Sequence, residues 1–231
     1  MLKTNQYSMR NITNDSVTEY IDQRFRPIDQ KMWRTRLYAE DKYIPIIQRD
    51  VEGLLVSLLH LHQPKKILEI GTAIGYSGSV MAKTLPDAHI VTLERSEEML
   101  EAAYENFKLF ETEEQMEVYE GDARESLDKL VSEVENGQRE LFDFVFIDAA
   151  KSYYLEFWQK IRKMTKAGSV VVCDNTLMRG MTVDDAFDPK DKHRTNIRNM
   201  REFMDYITGL KDVHTSILPV GDGVTISYIK E

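Results

Sequence analysis

Asp148-Ala149-Ala150-Lys151 and Asp174-Asn175 each follow an apolar run that reads as a β-strand, Phe142 to Ile147 and Ser169 to Cys173. If those strands are neighbours, Asp148, Asp174 and Asn175 converge as three oxygen ligands with no histidine or thiolate, a set that suits Mg²⁺, Ca²⁺ or Mn²⁺ rather than zinc. The only close histidine pair, His60 and His62, is two residues apart and diverges on a helix. A hydroxyl held by a divalent cation loses its proton more readily. Lys151 is then placed either to accept that proton, if desolvation lowers its pKa, or to stabilise the anion. Blander roles exist for each: Asp148 as a helix cap, Asp174-Asn175 as an Asx-turn, Lys151 as a solvated surface charge.

A second constellation begins at Glu69-Ile70-Gly71-Thr72-Ala73-Ile74-Gly75-Tyr76-Ser77. A dinucleotide fingerprint needs Gly-x-Gly-x-x-Gly; counted from Gly71, Ala73 and Tyr76 stand where the second and third glycines belong. A P-loop fails too, since no Gly-Lys-Ser/Thr follows. What remains, Glu-x-Gly-x-x-x-Gly, resembles the first motif of class I methyltransferases. Glu94 ends the next strand, about 20 residues on, where a carboxylate can accept from both ribose hydroxyls. Gly121-Asp122-Ala123 follows the third strand, and Asp122 is suited to the exocyclic amine of adenine. Their alternatives are a helix-capping acid for Glu94 and an exposed loop acid for Asp122. Ser77 either binds the methionine carboxylate or donates to its own helix turn.

The elements that must position these residues alternate from Lys66 onward. Strands are expected at 67–70, 90–94, 116–119, 142–147 and 169–173, and helices at 76–85, 97–110, 124–134 and 153–164. Such βα repetition implies a doubly wound, mostly parallel sheet. Two further strands, 214–219 and 224–229, joined through Gly221-Asp222-Gly223, read as a C-terminal antiparallel hairpin. Ahead of the sheet, polar residues 1–13 are expected to fray. Asn14-Asp15-Ser16 can cap a first helix, and helical patterns continue to about His62. One domain is expected, with residues 1–62 as a helical N-terminal cap and 63–231 as the α/β core.

The net charge of −9 is concentrated: 15 acids face four bases between Glu97 and Glu140, leaving the remainder close to neutral. Two windows are basic, Arg24 to Arg36 and Lys190 to Arg201. The lone Cys173 excludes an intrachain disulfide and reads as a small core residue. No h-region or long apolar run is present, so a soluble, cytoplasmic protein is expected.

Glu69 to Ser77, Ile147 to Lys151, Asp174-Asn175 and Pro219-Val220-Gly221-Asp222-Gly223 together resemble the cation-dependent caffeoyl-CoA and catechol O-methyltransferase family over roughly residues 40–231. The resemblance implies S-adenosylmethionine as methyl donor, bound around Glu69, Gly71, Gly75, Ser77, Glu94, Asp122, Ala123 and Asp148. It implies a divalent cation, Mg²⁺ or another such as Mn²⁺ or Ca²⁺, on Asp148, Asp174 and Asn175. Catalysis falls to Lys151 with Asp148, substrate contact lies near Asp222, and the assembly is a homodimer. Catechol methyltransferases carry bulkier residues where this chain has Ala149 and Ala150, so the resemblance does not imply their small-catechol pocket.

Within the family, Gln63 to Ser77, Phe146 to Lys151 and Pro219 to Gly223 resemble the bacterial tRNA 5-hydroxyuridine methyltransferases. 5-Hydroxyuridine sets its hydroxyl beside the 4-carbonyl, a chelating pair like that of a catechol, and a wobble base lies in a single-stranded loop from which it can be splayed. The expected acceptor is that base, with the two basic windows holding tRNA phosphates. A small catechol or hydroxycinnamoyl-CoA acceptor is the alternative, and a non-catalytic S-adenosylmethionine- or nucleotide-binding module is the other.

Overall fold

The computed structural model describes residues 12–230; the fraying expected of residues 1–11 lies outside the described residues. The expected N-cap forms, with the Asn14 side chain accepting from the Ser16 amide at the head of α1 (Asp15–Asp22). α2 (Gln30–Lys42) is capped by Asp29, and α3 (Arg49–His62) completes the helical N-terminal cap.

The core then alternates β1 (Lys66–Ile70), α4 (Tyr76–Thr84), β2 (His89–Glu94), α5 (Glu97–Phe110), β3 (Met116–Glu120), α6 (Ala123–Glu135), β4 (Phe142–Ile147), α7 (Tyr154–Ile161) and β5 (Thr165–Cys173). α8 (Arg194–Gly209), β6 (Val213–Leu218) and β7 (Val224–Ile229) follow. The seven strands lie in the order β3-β2-β1-β4-β5-β7-β6, parallel except for β7, which is antiparallel to both β5 and β6.

Side-chain alternation along each strand fills both faces of this sheet. Leu68, Ile70, Val145, Ile147, Val171 and Cys173 pack on one face with α6, α7 and α8. Ile67, Phe144, Phe146, Val170 and Val172 pack on the other with α2, α3, α4 and α5. Cys173 is a fully buried free thiol.

Two boundaries differ from expectation by more than one residue. α7 ends at Ile161 instead of 164, and β5 begins at Thr165 instead of 169. Thr165 pairs with Phe142 while Val170 pairs with Phe144, so the chain gains extra length across an irregularity. Gly168, at φ +91°, absorbs that detour. Among the described residues no helix is long and apolar enough to cross a membrane.

Candidate active site

The order of the sheet reverses at β1, whose neighbours are β2 and β4, and a ligand crevice belongs outside the carboxyl ends of the strands at such a switch. A cavity of about 940 Å³ opens there, walled by the strand ends and, from above, by residues 43–49 between α2 and α3. Staggered backbone bonds set the strand ends against one another. The Asp148 amide donates to Ile70 (3.0 Å), the Asp174 amide to Ile147 (2.9 Å), and the Gly121 amide to Glu94 (2.8 Å).

Gly71 sits at φ +104°, and a Cβ there would stand 2.1 Å from the Asp148 carbonyl oxygen. The glycine is therefore required because β4's exit crosses it, a contact within the protein. Gly75 (φ +76°) meets Phe107 in the same way. Gly121 is different: it lines the cavity, and an added Cβ there would meet nothing within 4 Å.

Glu94 does not cap a helix; Ser96 caps α5. One Glu94 oxygen accepts from the Ala73 amide inside the glycine turn (2.9 Å), the other from the amides of Arg95 and Ser96. Asp122 is itself the N-cap of α6, and Arg124 holds both its oxygens. That pairing pulls Asp122 down to about 2. Ala123 opens α6 at the cavity wall.

Glu69, expected to meet the cofactor, is fully buried behind the wall. It accepts from the hydroxyls of Ser77 and Thr92, and burial pushes it up to about 7. Its side chain follows the strand alternation toward α4, so it supports the turn and touches the cavity only through Ser77, whose hydroxyl donates to it.

Asp148, Lys151, Asp174 and Asn175 come together in the cavity wall. Asp148 is not a helix cap: the turn starting at Lys151 has Ala150 before it and no side-chain cap. Lys151 Nζ donates to Asp148 Oδ1 (2.8 Å) and to the Tyr154 hydroxyl (3.2 Å). Burial lowers the Lys151 pKa, but Tyr154 and Asp148 outweigh it and the net shift is upward. Hydrogen-bond acceptors around the ammonium stabilise its charge, and one of them, Asp148, is also an expected cation ligand.

Asp174 is driven well above the ordinary carboxylate range, first by burial and next by Asp148 facing it. Its Oδ1 accepts from the Asn175 amide, and Asn175 adopts a left-handed backbone at φ +56°. Asp222 reaches the site from the β6–β7 loop, held by the Leu177 amide on its carbonyl; its buried Oδ1 has no hydrogen-bond partner.

The oxygens of Asp148, Asp174 and Asn175 are of the kind that a hard divalent cation takes. Among the described residues no group of three or more acid, histidine or cysteine side chains is placed to hold a metal ion.

Sequence reasoning missed Tyr154, although it lies one helical turn past Lys151. It also missed the cap's part in the wall, which the apolar run Ile44-Pro45-Ile46-Ile47 between two helices could have signalled. Arg36, part of a basic window expected to hold tRNA phosphates, is only 1% exposed. It donates to Glu52, Ile47 O and the Tyr76 hydroxyl, so it is unavailable to a phosphate. Arg201 likewise donates to the carbonyls of Met181 and Thr182, and no residue of 190–201 reaches the cavity wall.

The family model for O-methyltransferases matches residues 31–230. The chain belongs to that family. Caffeoyl-CoA O-methyltransferase 1 of Zea mays is 35% identical over 181 residues, covering 77% of this chain and 69% of that protein. Its Eucalyptus globulus counterpart is 30% identical over 185 residues, 77% and 72% of the two chains.

Among solved structures, the Bacillus cereus O-methyltransferase in complex with SAH superposes with a TM-score of 0.79 at 26% identity, over 93% of this chain and 97% of that one. TomG of Streptomyces achromogenes, an O-methyltransferase of tomaymycin synthesis in complex with SAM, gives 0.79 at 25% identity over the whole of both chains. This protein is therefore an S-adenosylmethionine-dependent O-methyltransferase of the caffeoyl-CoA type with the class I methyltransferase fold, and the non-catalytic alternative falls away.

Proposed function

We propose that this O-methyltransferase acts on a hydroxyl whose neighbouring carbon carries a second oxygen, with a divalent cation holding both. The observation that carries this is the opposition of Asp148 and Asp174 at adjacent strand ends, in a cavity large enough for cofactor and acceptor together. Asp148, Asp174 and Asn175 hold the cation. The cation, when bound, supplies charge that favours the ionised form of the acceptor hydroxyl. Lys151 adds a second positive charge beside the same oxygen. Glu94 and the turn from Gly71 to Gly75 hold the nucleoside end of S-adenosylmethionine, with Ser77, Asp122 and Ala123 beside it. The methyl carbon is thereby presented in line with the acceptor oxygen, and the residue 43–49 wall keeps water out.

Two acceptor classes possess the required pair of oxygens. The caffeoyl-CoA O-methyltransferase relatives favour a small phenol, a catechol or a hydroxycinnamoyl-CoA thioester. The second acceptor is 5-hydroxyuridine in a tRNA anticodon loop. It is favoured by Lys190, Lys192, Arg194 and Arg198, which stay exposed beyond the β5 loop. A homodimer in the cytoplasm is proposed for either.

Purified enzyme with S-adenosylmethionine and Mg²⁺ should methylate caffeoyl-CoA or a catechol, and excess EDTA should abolish the product. Full turnover in EDTA would overturn the cation. Methylation of hydroxyuridine-containing tRNA with none of the phenols would transfer the acceptor to the second class. Nucleoside mass spectrometry of tRNA from a strain lacking the gene gives the same answer in the cell.

A further inference from the structure

Tyr154 opens α7 with its ring edge-on to Phe203 of α8, centroids 5.6 Å apart, and its side chain is fully buried. A phenol has one proton to give. The two carbonyls near the hydroxyl, Asp174 O at 3.0 Å and Ile147 O at 3.4 Å, can only accept, so that proton is spent on the backbone. Toward Lys151 Nζ, at 3.2 Å, the phenol oxygen must therefore act as acceptor. Lys151 commits a second N–H to Asp148 Oδ1 at 2.8 Å. A tetrahedral nitrogen bonded to its own side chain and committed in two directions has one direction left. No other acceptor among the described residues takes it, and Lys151 forms part of the cavity wall.

We propose that Tyr154 is a positioning residue: with Asp148 it fixes two corners of the Lys151 nitrogen, so that the remaining corner faces the acceptor oxygen. That corner carries a proton in the charged amine and a lone pair in the neutral one, and the geometric requirement is the same for both. Because the Tyr154 hydroxyl is anchored to Ile147 and Asp174 carbonyls at the ends of β4 and β5, the amine is registered against the same two strand ends that carry the acids. The inference rests on the proposed acceptor class, since it needs an oxygen beside Lys151.

Tyr154→Phe keeps the ring and removes the anchor. Displacements near an ångström at a reacting group cost about 10²-fold, so single-turnover methyl transfer from labelled S-adenosylmethionine to a catechol should slow about 10- to 100-fold. The Michaelis constants for both substrates should stay within about twofold, as for an interaction expressed in the transition state.

The deciding measurement is a double-mutant cycle. In a Lys151→Met background, Tyr154→Phe should cost nothing further, because its effect runs through the amine. If the penalty is the same with and without Lys151, Tyr154 merely supports the strand ends and the proposal is overturned. If Tyr154→Phe does not fold, 3,5-difluorotyrosine at this position nearly keeps the packing and, in its neutral form, makes the hydroxyl a weaker acceptor from Lys151 and a stronger donor to the backbone carbonyls. The same cycle then applies. A wild-type enzyme that methylates no chelating phenol sinks the acceptor reading instead, and the cycle is then run with hydroxyuridine-containing tRNA.

Discussion

Replacing Arg36 by methionine removes one half of an ion pair that both partners bury almost completely, Arg36 at 1% and Glu52 at 2% exposed. The guanidinium bridges three elements: its own helix α2, Glu52 on α3 together with the Ile47 carbonyl, and Tyr76 at the first position of α4. Deleting one member of a buried pair leaves an uncompensated charge and costs about 3–5 kcal/mol. For a chain of this size each kcal/mol shifts the melting temperature by about 2–4 °C, so a fall of about 6–20 °C is expected.

The loss should depend on pH. Burial raises the Glu52 pKa and Arg36 opposes the rise; without Arg36 the opposition disappears. A folded-state pKa above the unfolded one contributes stability that is present in acid and lost as pH climbs through the folded value. Arg36→Met should therefore be nearest to wild type at about pH 5, where Glu52 can take a proton, and furthest from it at about pH 8. Urea unfolding followed by the fluorescence of the two tryptophans, at both pH values, measures this. Arg36→Met with Glu52→Leu should recover most of the loss. A single variant within about 1 kcal/mol of wild type, or a penalty that is flat with pH, would refute the assignment of a charged, buried clamp.

Gly71→Ala forces a methyl group against the Asp148 carbonyl. Turnover should drop by about 10²-fold or more as the acid is displaced, and an unchanged kcat would show that the turn relaxes. Asp174→Asn should abolish turnover yet raise the melting temperature of the metal-free protein by several degrees, because it removes a buried acid opposed to Asp148. It should also flatten the decline in metal-free stability as pH rises, which follows from the raised folded pKa; a lower melting temperature than wild type would count against the opposed pair. Glu94→Gln leaves one accepting oxygen and turns an NH2 donor against either the Ala73 amide or the Arg95 and Ser96 amides, so one side of the carboxylate's bonding is lost. At about 1.5–3 kcal/mol for a hydrogen bond to a charged group, calorimetry should show SAH binding weakened by about 10-fold or more, and undiminished affinity would remove Glu94 from the cofactor site.

The alternation of apolar runs and amphipathic segments from Lys66 to Ile229 was sufficient to place every strand of the sheet to within a few residues. This is so because strand and helix periodicity are written within four residues of each position. The same locality made the glycine turn, Glu94, Asp122 and the acids at the ends of β4 and β5 legible, since each directly follows a recognisable strand. Local pattern could not say what comes to lie beside a side chain from far along the chain. Arg36 looks like one more surface cation until α3 and α4 close over it.

Glu69 sits in a motif yet points into the protein, because alternation along β1 turns it toward Ser77 and Thr92. Asp122 and not Glu94 caps a helix for a similar reason: which acid does so depends on the angle at which each helix leaves its strand. The Gly221 amide meets the Asp50 carboxylate across 171 positions of sequence, and this bond helps bring the β6–β7 loop, with Asp222, against the cap. Only packing decides such a contact, because its energy exists only once the sheet, the cap and the hairpin are all assembled.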